Sequence, residues 1–358
     1  QLNKKALPFH MPSMVPGTYS VYDFGRFIYD FKVFDKDGNA LEWEHPEVNT
    51  WKILDGKAAH KITYKVEDTW DTEKPNVIFE PAGSNFDDGV FVFNNHGIFG
   101  YLDGYAKLPY RLEIDRPEGL FGGTAMERVG GDADTDIFEI DSYNNLVDNP
   151  ILFARPESAY IQVGGARILI PTHSPTGRVK SKELVADIQP ILEAQRTYLG
   201  GSLPVDRYAF LIFLNREGES FLSGSAGALE HSYSSFYALF EGEASSIRHP
   251  ALAAAALEFF HLETPLSIHS NEIHDFDFIN PEMSMHLWMY EGGTEYAAQH
   301  VQVKQGLVEQ QQFLNVMAMK IRQADNFQDD LPFTELSLGA LDAHKDQYPN
   351  VYLKGAVI

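Results

Sequence analysis

The sequence predicts an α+β protein of several domains, with an N-terminal β-sandwich, an α/β domain and a helical C-terminal portion. The chain has 358 residues, more than one hydrophobic core usually accommodates. Short segments rich in aromatic and β-branched residues, separated by turn residues, lie before residue 140 and are typical of strands. Apolar residues at helical spacing follow from about residue 141. We therefore expect domains at residues 1–140, 141–310 and 311–358.

The N-terminal region shows strands joined by turn residues. Phe27–Phe34 and Lys61–Val66 are rich in aromatic and β-branched residues, and Asp35–Asn39 reads Asp-Lys-Asp-Gly-Asn. A calcium loop would carry a bidentate Glu at its twelfth position, but that position is Pro46, so we expect a hairpin turn. We also expect the chain to begin after one or more further strands and to stop within the C-terminal domain.

Helical and strand patterns alternate after residue 141. Lys182–Leu199 places apolar residues at helical spacing, and the glycines that follow, Gly200 and Gly201, are a typical helix stop. Pro190 is expected to kink this helix. Tyr208–Leu214 is a continuous apolar run, which indicates a buried strand.

Composition excludes several functional classes. The net charge of −23 opposes attraction to nucleic acid and to anionic membranes. The chain has no cysteine, so a bound metal must use His, Asp or Glu. No apolar run is long enough to span a membrane. We expect a soluble protein, and the sequence leaves cytoplasm, periplasm and exterior open.

The stretch Ala251–Tyr296 contains most of a zinc signature. In H-E-x-x-H, two imidazoles lie at i and i+4 on one helical face, and the Glu activates metal-bound water. Residues 257–261 read Leu-Glu-Phe-Phe-His. Glu258 and His261 match the catalytic Glu and the second imidazole, whereas Leu257 stands at the first ligand position.

A purely structural interpretation competes with this one. On a helix from Pro250 to about residue 262, Glu258 and His261 share a face and could form a salt-linked pair at a helix contact. The residues that follow favour a metal site, because a second helical segment carries Glu291 and Glu295. Peptidases whose third zinc ligand is a Glu have this arrangement.

Six segments, taken together and in order, resemble the glycyl aminopeptidase family of gluzincin zinc metallopeptidases. The resemblance covers nearly the whole chain. It implies a thermolysin-like catalytic domain after the β-sandwich. The segments are Pro16–Arg26, Asn144–Pro150, Leu203–Tyr208, Gly227–His231, Leu287–Tyr296 and Tyr352–Ala356.

The resemblance implies a role for each matched residue at the catalytic centre. His261 and Glu291 match zinc ligands, and Glu258 matches the general base. Tyr352 matches the tyrosine that donates a hydrogen bond to the oxyanion; the alternative is an ordinary packed tyrosine. Glu295, one helical turn after Glu291, is expected to orient a ligand from the second shell.

Substrate recognition is implied for a second segment. Glu230 matches the carboxylate that holds the free α-ammonium of a peptide, although it could instead cap the following segment. Gly227 and Ala228 would let the peptide backbone approach. The expected partner is a peptide with a free N-terminus and a small first residue, Gly or Ala.

Leu257 departs from the family pattern, and this casts doubt on zinc occupancy and turnover. The residue could be a natural loss, an engineered or erroneous position, or a sign of a different metal arrangement. Other histidines lie nearby, but none has the required i, i−4 relation to His261; they are His231, His249, His269, His274 and His286.

Two functions therefore stay open at this point. The first is a zinc aminopeptidase, inactive in this form if Leu257 prevents zinc binding. The second is a non-catalytic protein that recognises free amino termini. A carbohydrate-associated module built on the aromatic β-domain is a weaker third, since strand aromatics usually form cores.

Overall fold

The computed structural model describes residues 5–87, 89–242 and 255–358. The chain divides into two compact units. The N-terminal unit comprises Gln1–Pro156, Ser220–Ser225 and Phe278–Pro281, and the C-terminal unit comprises Glu157–Glu219, Ala226–Asp277 and Glu282–Ile358.

The N-terminal unit is β-rich, and all its strand pairs among the described residues are antiparallel. Its sheets have the orders β4-β5-β1-β9, β3-β2-β6, β11-β14-β8-β7 and β10-β13-β12. Two short helices, α1 (Asn95–Ile98) and α2 (Tyr143–Val147), lie between strands. The strands are β1 (Leu7–His10), β2 (Ile28–Phe34), β3 (Ala40–Leu41), β4 (Trp43–Glu47), β5 (Thr50–Ile53), β6 (Lys61–Val66), β7 (Asn85–Asp87), β8 (Val90–Phe93), β9 (Tyr101–Leu102), β10 (Tyr110–Asp115), β11 (Phe121–Gly123), β12 (Arg128–Gly131), β13 (Thr135–Ile140) and β14 (Ile151–Ala154).

The predicted hairpin turn is confirmed between β2 and β3. The Asp35 carboxylate accepts hydrogen bonds from the backbone N–H groups of Asp37 and Asn39, each at 2.9 Å. Such a side-chain bond to the backbone two residues on is the reason that Asp begins turns. Strand β6 has the bounds that the sequence predicted, and strand β2 begins one residue later than expected, after the 3₁₀ turn Phe24–Phe27.

A five-stranded sheet forms the centre of the C-terminal unit. Its order is β15-β16-β17-β19-β18, with parallel pairing of β17 to both of its neighbours and antiparallel pairing at the two edges. Strand β17 contains the apolar run that the sequence predicted, and its inner residues are buried. The strands are β15 (Ser158–Val163), β16 (Ala166–His173), β17 (Arg207–Asn215), β18 (Gly227–His231) and β19 (Ser234–Phe240).

Helices supply the rest of the C-terminal unit. Residues 255–260 are helical and are called α4; the predicted helix start at Pro250 and the histidine at position 249 lie outside the described residues. The other helices are α3 (Ser181–Tyr198), α5 (Asn271–His274), α6 (Leu287–Lys304), α7 (Gln310–Ala324), α8 (Phe333–Leu338) and α9 (Asn350–Leu353), with a 3₁₀ turn at Lys345–Gln347.

Helix α3 confirms the sequence prediction closely. Its apolar face, including Leu184, Ile188 and Leu192, packs in one cluster with Ile168 and Phe210 of the sheet. Pro190 lies inside the helix on an exposed position. The helix ends before Gly200, whose φ of +92° suits a glycine because it has no Cβ.

The mixed α+β class is confirmed, with a β-rich N-terminal part, a later α/β part and C-terminal helices. Among the described helices, none combines the length and the apolar character needed to cross a bilayer.

Candidate metal centre

Three side chains that are distant in sequence converge in the C-terminal unit. Glu230 comes from edge strand β18, His261 follows helix α4, and Glu291 lies in the first turns of helix α6. One nitrogen or oxygen atom of each lies within 4.8 Å of those of the other two. His261 Nε2 and Glu291 Oε2 are 3.6 Å apart. We call these three residues the Glu–His–Glu cluster.

The ring of His261 is held in one orientation by backbone contacts. Its backbone N–H bonds to the carbonyl of Leu257 at 3.3 Å, which continues the helical turn. Its Nδ1 lies 3.1 Å from the carbonyl oxygen of Thr264, so Nδ1 carries the proton and donates it. A histidine that ligates a metal commonly makes this contact with its second nitrogen. Nε2 is therefore directed toward the carboxylates.

Leu257 contributes apolar packing at the first position of the signature. It is partly buried against a cluster of residues from helices α3, α4 and α6, namely Ile191, Ala194, Ala256, Phe260, Ala298 and Val301. Among the described histidines, none of those considered as replacement ligands joins the cluster. The third residue that does join it is the carboxylate of Glu230.

Negative charge dominates the site. Burial, with the Glu230 carboxylate next in effect, raises the pKa of Glu258 to about 8. Burial also raises the pKa of Glu230. Burial opposes protonation of His261, but the Glu230, Glu291 and Glu258 carboxylates outweigh it and raise the pKa of His261 to about 9. All three raised pKa values indicate that the site favours binding of a proton or another cation.

Two tyrosines lie beside the cluster, and the sequence identified only one of them. The Tyr348 and Tyr352 hydroxyls are 2.6 Å apart. Burial, followed by the Glu291 carboxylate, raises the pKa of Tyr348 well above its ordinary value, so this hydroxyl keeps its proton. The i, i+4 spacing of the two tyrosines at the start of a short helix is the sequence signal that could have revealed the pair.

Close backbone packing connects the Glu291 segment with the Tyr352 segment. A Cβ on Gly292 would lie 2.5 Å from the carbonyl carbon of Gly355, so only glycine permits this approach. Lys320 strengthens the connection, because its Nζ contacts Glu295 Oε1 at 2.7 Å and the Tyr352 carbonyl at 3.2 Å. The close approach of the two segments therefore requires a glycine in each of them, Gly292 in the first and Gly355 in the second.

Glu295 does not belong to the cluster. Its contacts among the described residues are with Lys320 and Gln299, and it acts on Glu258 only through longer-range charge. Its expected role in orienting a ligand stays a prediction. Gly227 and Ala228 lie on β18 with Glu230, both partly buried.

The distance between the His261 and Glu291 donor atoms suits a shared divalent cation. Zinc binds imidazole nitrogen and carboxylate oxygen at about 2.0–2.2 Å, and two such ligands in a tetrahedral site lie roughly 3.4 Å apart. The separation of 3.6 Å between His261 Nε2 and Glu291 Oε2 is close to this value. The set differs from the two ligands matched in the sequence, His261 and Glu291, because the carboxylate of Glu230 lies close to both.

Comparison with solved structures identifies proteins of the same fold. The chain aligns over its full length with an aminopeptidase N family protein from Idiomarina loihiensis, with a TM-score of 0.85 and 20% identity, and spans 61% of that protein. It also aligns over 98% of its length with 73% of a mutant M1 zinc metallopeptidase from Deinococcus radiodurans bound to a Tyr-Ser-Ala substrate, with a TM-score of 0.54 and 12% identity. The fold is that of an aminopeptidase.

Sequence comparison then gives the family. The Peptidase M61 N-terminal domain matches residues 1–155, and the M61 glycyl aminopeptidase domain matches residues 251–358. No curated protein matches the chain. The chain belongs to the M61 glycyl aminopeptidase family, which confirms the resemblance read from the six segments.

Proposed function

We propose that this protein is a metalloaminopeptidase that releases small N-terminal residues, Gly or Ala, from peptides, and that Leu257 limits this activity in the present chain. The observation that supports the proposal is the convergence of Glu230, His261 and Glu291 within 4.8 Å, beside the buried carboxyl of Glu258. Membership of the M61 family supports the same chemistry.

His261 and Glu291 would hold zinc in this gluzincin-type, thermolysin-like site. When bound, zinc supplies Lewis acidity, which polarises the scissile carbonyl and makes water a stronger acid. Glu258 is the general base. It can accept a proton only as a carboxylate, and its pKa of about 8 falls when positive charge enters the cluster. Binding of the metal ion therefore favours the carboxylate form of Glu258, which is the form that acts as the base.

Tyr352 stabilises the developing oxyanion through its hydroxyl, which is 2.6 Å from that of Tyr348. Because Tyr348 stays protonated beside the carboxylates, its hydroxyl can donate to Tyr352 and leave the Tyr352 proton for the substrate. Lys320 positions this pair by binding the Tyr352 carbonyl. Preorganised donors of this kind contribute about 2.7–4 kcal/mol to transition-state stability.

Substrate binding is assigned to the edge strand β18. An edge strand presents backbone N–H and C=O groups to an extended peptide, and the small residues Gly227 and Ala228 keep this edge accessible. At the end of the same strand Glu230 accepts the α-ammonium of the substrate. A peptide with a free amino terminus is thus aligned toward His261.

Replacing Leu257 by His tests this function. Leu257→His loaded with zinc is expected to hydrolyse Gly- and Ala-terminated peptides at least about 100-fold faster than the unmodified chain, because it restores a three-ligand site. Initial rates with Gly- and Ala-p-nitroanilide measure this.

The controls separate ligation from packing. Leu257→Phe provides a ring without nitrogen and should stay at the level of the unmodified chain. Leu257→His combined with Glu258→Gln should lose about 10²–10⁴-fold in kcat. A folded, zinc-loaded Leu257→His variant that cleaves none of these substrates contradicts the proposal.

Apolar packing of Leu257 favours a second candidate, a non-catalytic protein that binds peptides through their free amino termini. This candidate predicts that the unmodified chain binds Gly-Ala-Ala and that N-acetylation of the peptide weakens binding. Isothermal titration with both peptides measures the difference, and equal affinities contradict it.

A further inference from the structure

The carboxylate of Glu230 lies beside the two residues that match zinc ligands. One of its oxygens lies within 4.8 Å of ligand atoms of both His261 and Glu291, so the three side chains can surround a single ion. We propose that Glu230 is the third protein ligand of a divalent cation in this chain. It substitutes for the imidazole that is missing because residue 257 is Leu. This inference rests on the proposed metal site. It gives Glu230 in the unmodified chain a role other than the amine binding proposed above, which Glu230 would take in Leu257→His.

The orientation of His261 is one line of support. Nδ1 donates to the Thr264 carbonyl, so in the neutral ring Nε2 presents a lone pair. The atom that it faces, Glu291 Oε2 at 3.6 Å, is also an acceptor and lies beyond hydrogen-bond length. Two acceptors that face each other in a buried site are stabilised by a positive charge between them, a proton on Nε2 in the metal-free protein or a metal ion that displaces this proton.

The charge around Glu230 is a second and independent line of support. Glu230 and Glu258 form no ion pair with a lysine or arginine within the described ranges. Other acidic side chains of the C-terminal unit do find such partners; Glu295 pairs with Lys320 at 2.7 Å. The buried carboxylate of Glu258, beside the half-buried Glu230, is costly to ionise unless a cation binds.

The way the chain folds explains how Glu230 reaches the cluster. Among the described strands, β18 pairs only with β19, where Glu230 is opposite Ser235. Leu229 points into the apolar core with 2% exposure. Because side chains alternate along a strand, Glu230 must point to the other face. The alternation therefore fixes the carboxylate on the side of His261.

The ligand class follows from the donors. One imidazole and two carboxylates are a harder set than two imidazoles and one carboxylate. They suit zinc and also cations that prefer oxygen, such as Mn²⁺. A cation held by three protein donors keeps an open position for water or a peptide carbonyl.

A double-mutant cycle at positions 230 and 257 tests the assignment. The full chain is freed of metal with EDTA and titrated with Zn²⁺ by calorimetry. Glu230→Gln is expected to weaken zinc binding by at least about 100-fold when residue 257 is Leu, since even loss of a second-shell partner costs roughly 10- to 100-fold. In Leu257→His, where an imidazole supplies the third donor, the same change should cost less than about fivefold.

Glu282→Gln is the matched control, because it removes one negative charge from an exposed position of the same unit and should leave the zinc affinity within about twofold. Equal losses for Glu230→Gln in both backgrounds, or no loss in either, overturn the proposal. So does failure of the unmodified chain to bind Zn²⁺ at millimolar concentration.

The cobalt spectrum of the unmodified chain needs no variant at position 230. Three protein donors should give the intense visible absorption of four-coordinate Co²⁺, and a weak spectrum typical of a six-coordinate, water-rich ion overturns the assignment. The two proposals fail separately. Inactivity of zinc-loaded Leu257→His refutes the peptidase function, whereas these binding and spectroscopic results refute only the role of Glu230.

Discussion

The carboxylates inside the two units have different neighbours. In the N-terminal unit, the buried Asp136 carboxylate is held by two guanidinium groups, Arg116 Nε at 2.9 Å and Arg128 Nε at 2.8 Å. In the C-terminal unit, the carboxylates of Glu230, Glu258 and Glu291 surround a single imidazole. The first arrangement is balanced by the chain itself. In the second, neither Glu230 nor Glu258 has a lysine or arginine partner among the described residues, so a bound proton or metal ion would stabilise them, and this difference distinguishes a structural ion pair from a functional site.

Removing the Asp136 carboxylate, which Arg116 and Arg128 share, should have the largest effect on stability. Asp136→Asn leaves two guanidinium groups without their carboxylate, and we expect the free energy of unfolding to fall by about 3–5 kcal/mol. Urea unfolding followed by circular dichroism measures this. A loss below about 1 kcal/mol would mean that solvent satisfies the arginines, and the contrast between the units would weaken.

Added zinc should stabilise the protein through the Glu–His–Glu cluster and not through the Asp136 ion pairs. Zinc at 100 times its Kd should raise the free energy of unfolding by about 2.7 kcal/mol over the EDTA-treated protein. In Asp136→Asn, zinc should raise the free energy of unfolding by the same amount, starting from a lower value in EDTA, because the substitution lies in the other unit. Thermal melts with and without zinc measure both, and an absent increment in the unmodified chain argues against a cation site.

The pH dependence of the metal-free protein should be the next largest effect. Glu258 has a pKa of about 8 in the folded protein against 4.5 ordinarily, so the folded state keeps a proton that the unfolded state releases. His261, with a pKa of about 9 against 6.5, contributes stability below its unfolded value that is lost as the pH rises through 9. Both effects make stability fall as the pH rises.

Between about pH 6 and pH 7 we expect a loss on the order of 2 kcal/mol in EDTA. Glu258→Gln cannot ionise, so its loss over the same range should be smaller. Melting temperatures of the two proteins across this range provide the comparison, and parallel curves would show that Glu258 has an ordinary pKa.

The ion pair of Glu295 and Lys320 should give the smallest effect. Glu295→Gln keeps a polar partner for Lys320, which also binds the Tyr352 carbonyl, and we expect a cost of about 1 kcal/mol. Urea unfolding measures the stability, and zinc calorimetry on the same variant tests the ligand-orienting role. A zinc affinity lowered by about tenfold would support that role.

Local sequence patterns predicted much of the fold. The apolar spacing of helix α3, the continuous apolar run of β17 and the Asp35 turn depend on neighbouring residues, and each was confirmed. The same locality allowed Glu258 and His261 to be recognised, because their spacing along one helix carries the signal.

Long-range contacts could not be predicted in this way. Glu230 was identified as a site residue, but its proximity to His261 and Glu291 depends on the pairing of β18 with β19 and on packing across the unit. Lys320 was missed for the same reason, because its contacts join helices that no short motif connects. Tyr348 differs, since its i, i+4 spacing to Tyr352 is a local signal.

Anomalous diffraction from zinc-loaded crystals of the unmodified chain identifies the ligands of the ion. We expect a zinc peak within about 2.0–2.2 Å of His261 Nε2 and of carboxylate oxygens of both Glu291 and Glu230. A zinc-saturated crystal without a peak at these three residues, or with Glu230 turned away from the ion, would contradict this expectation.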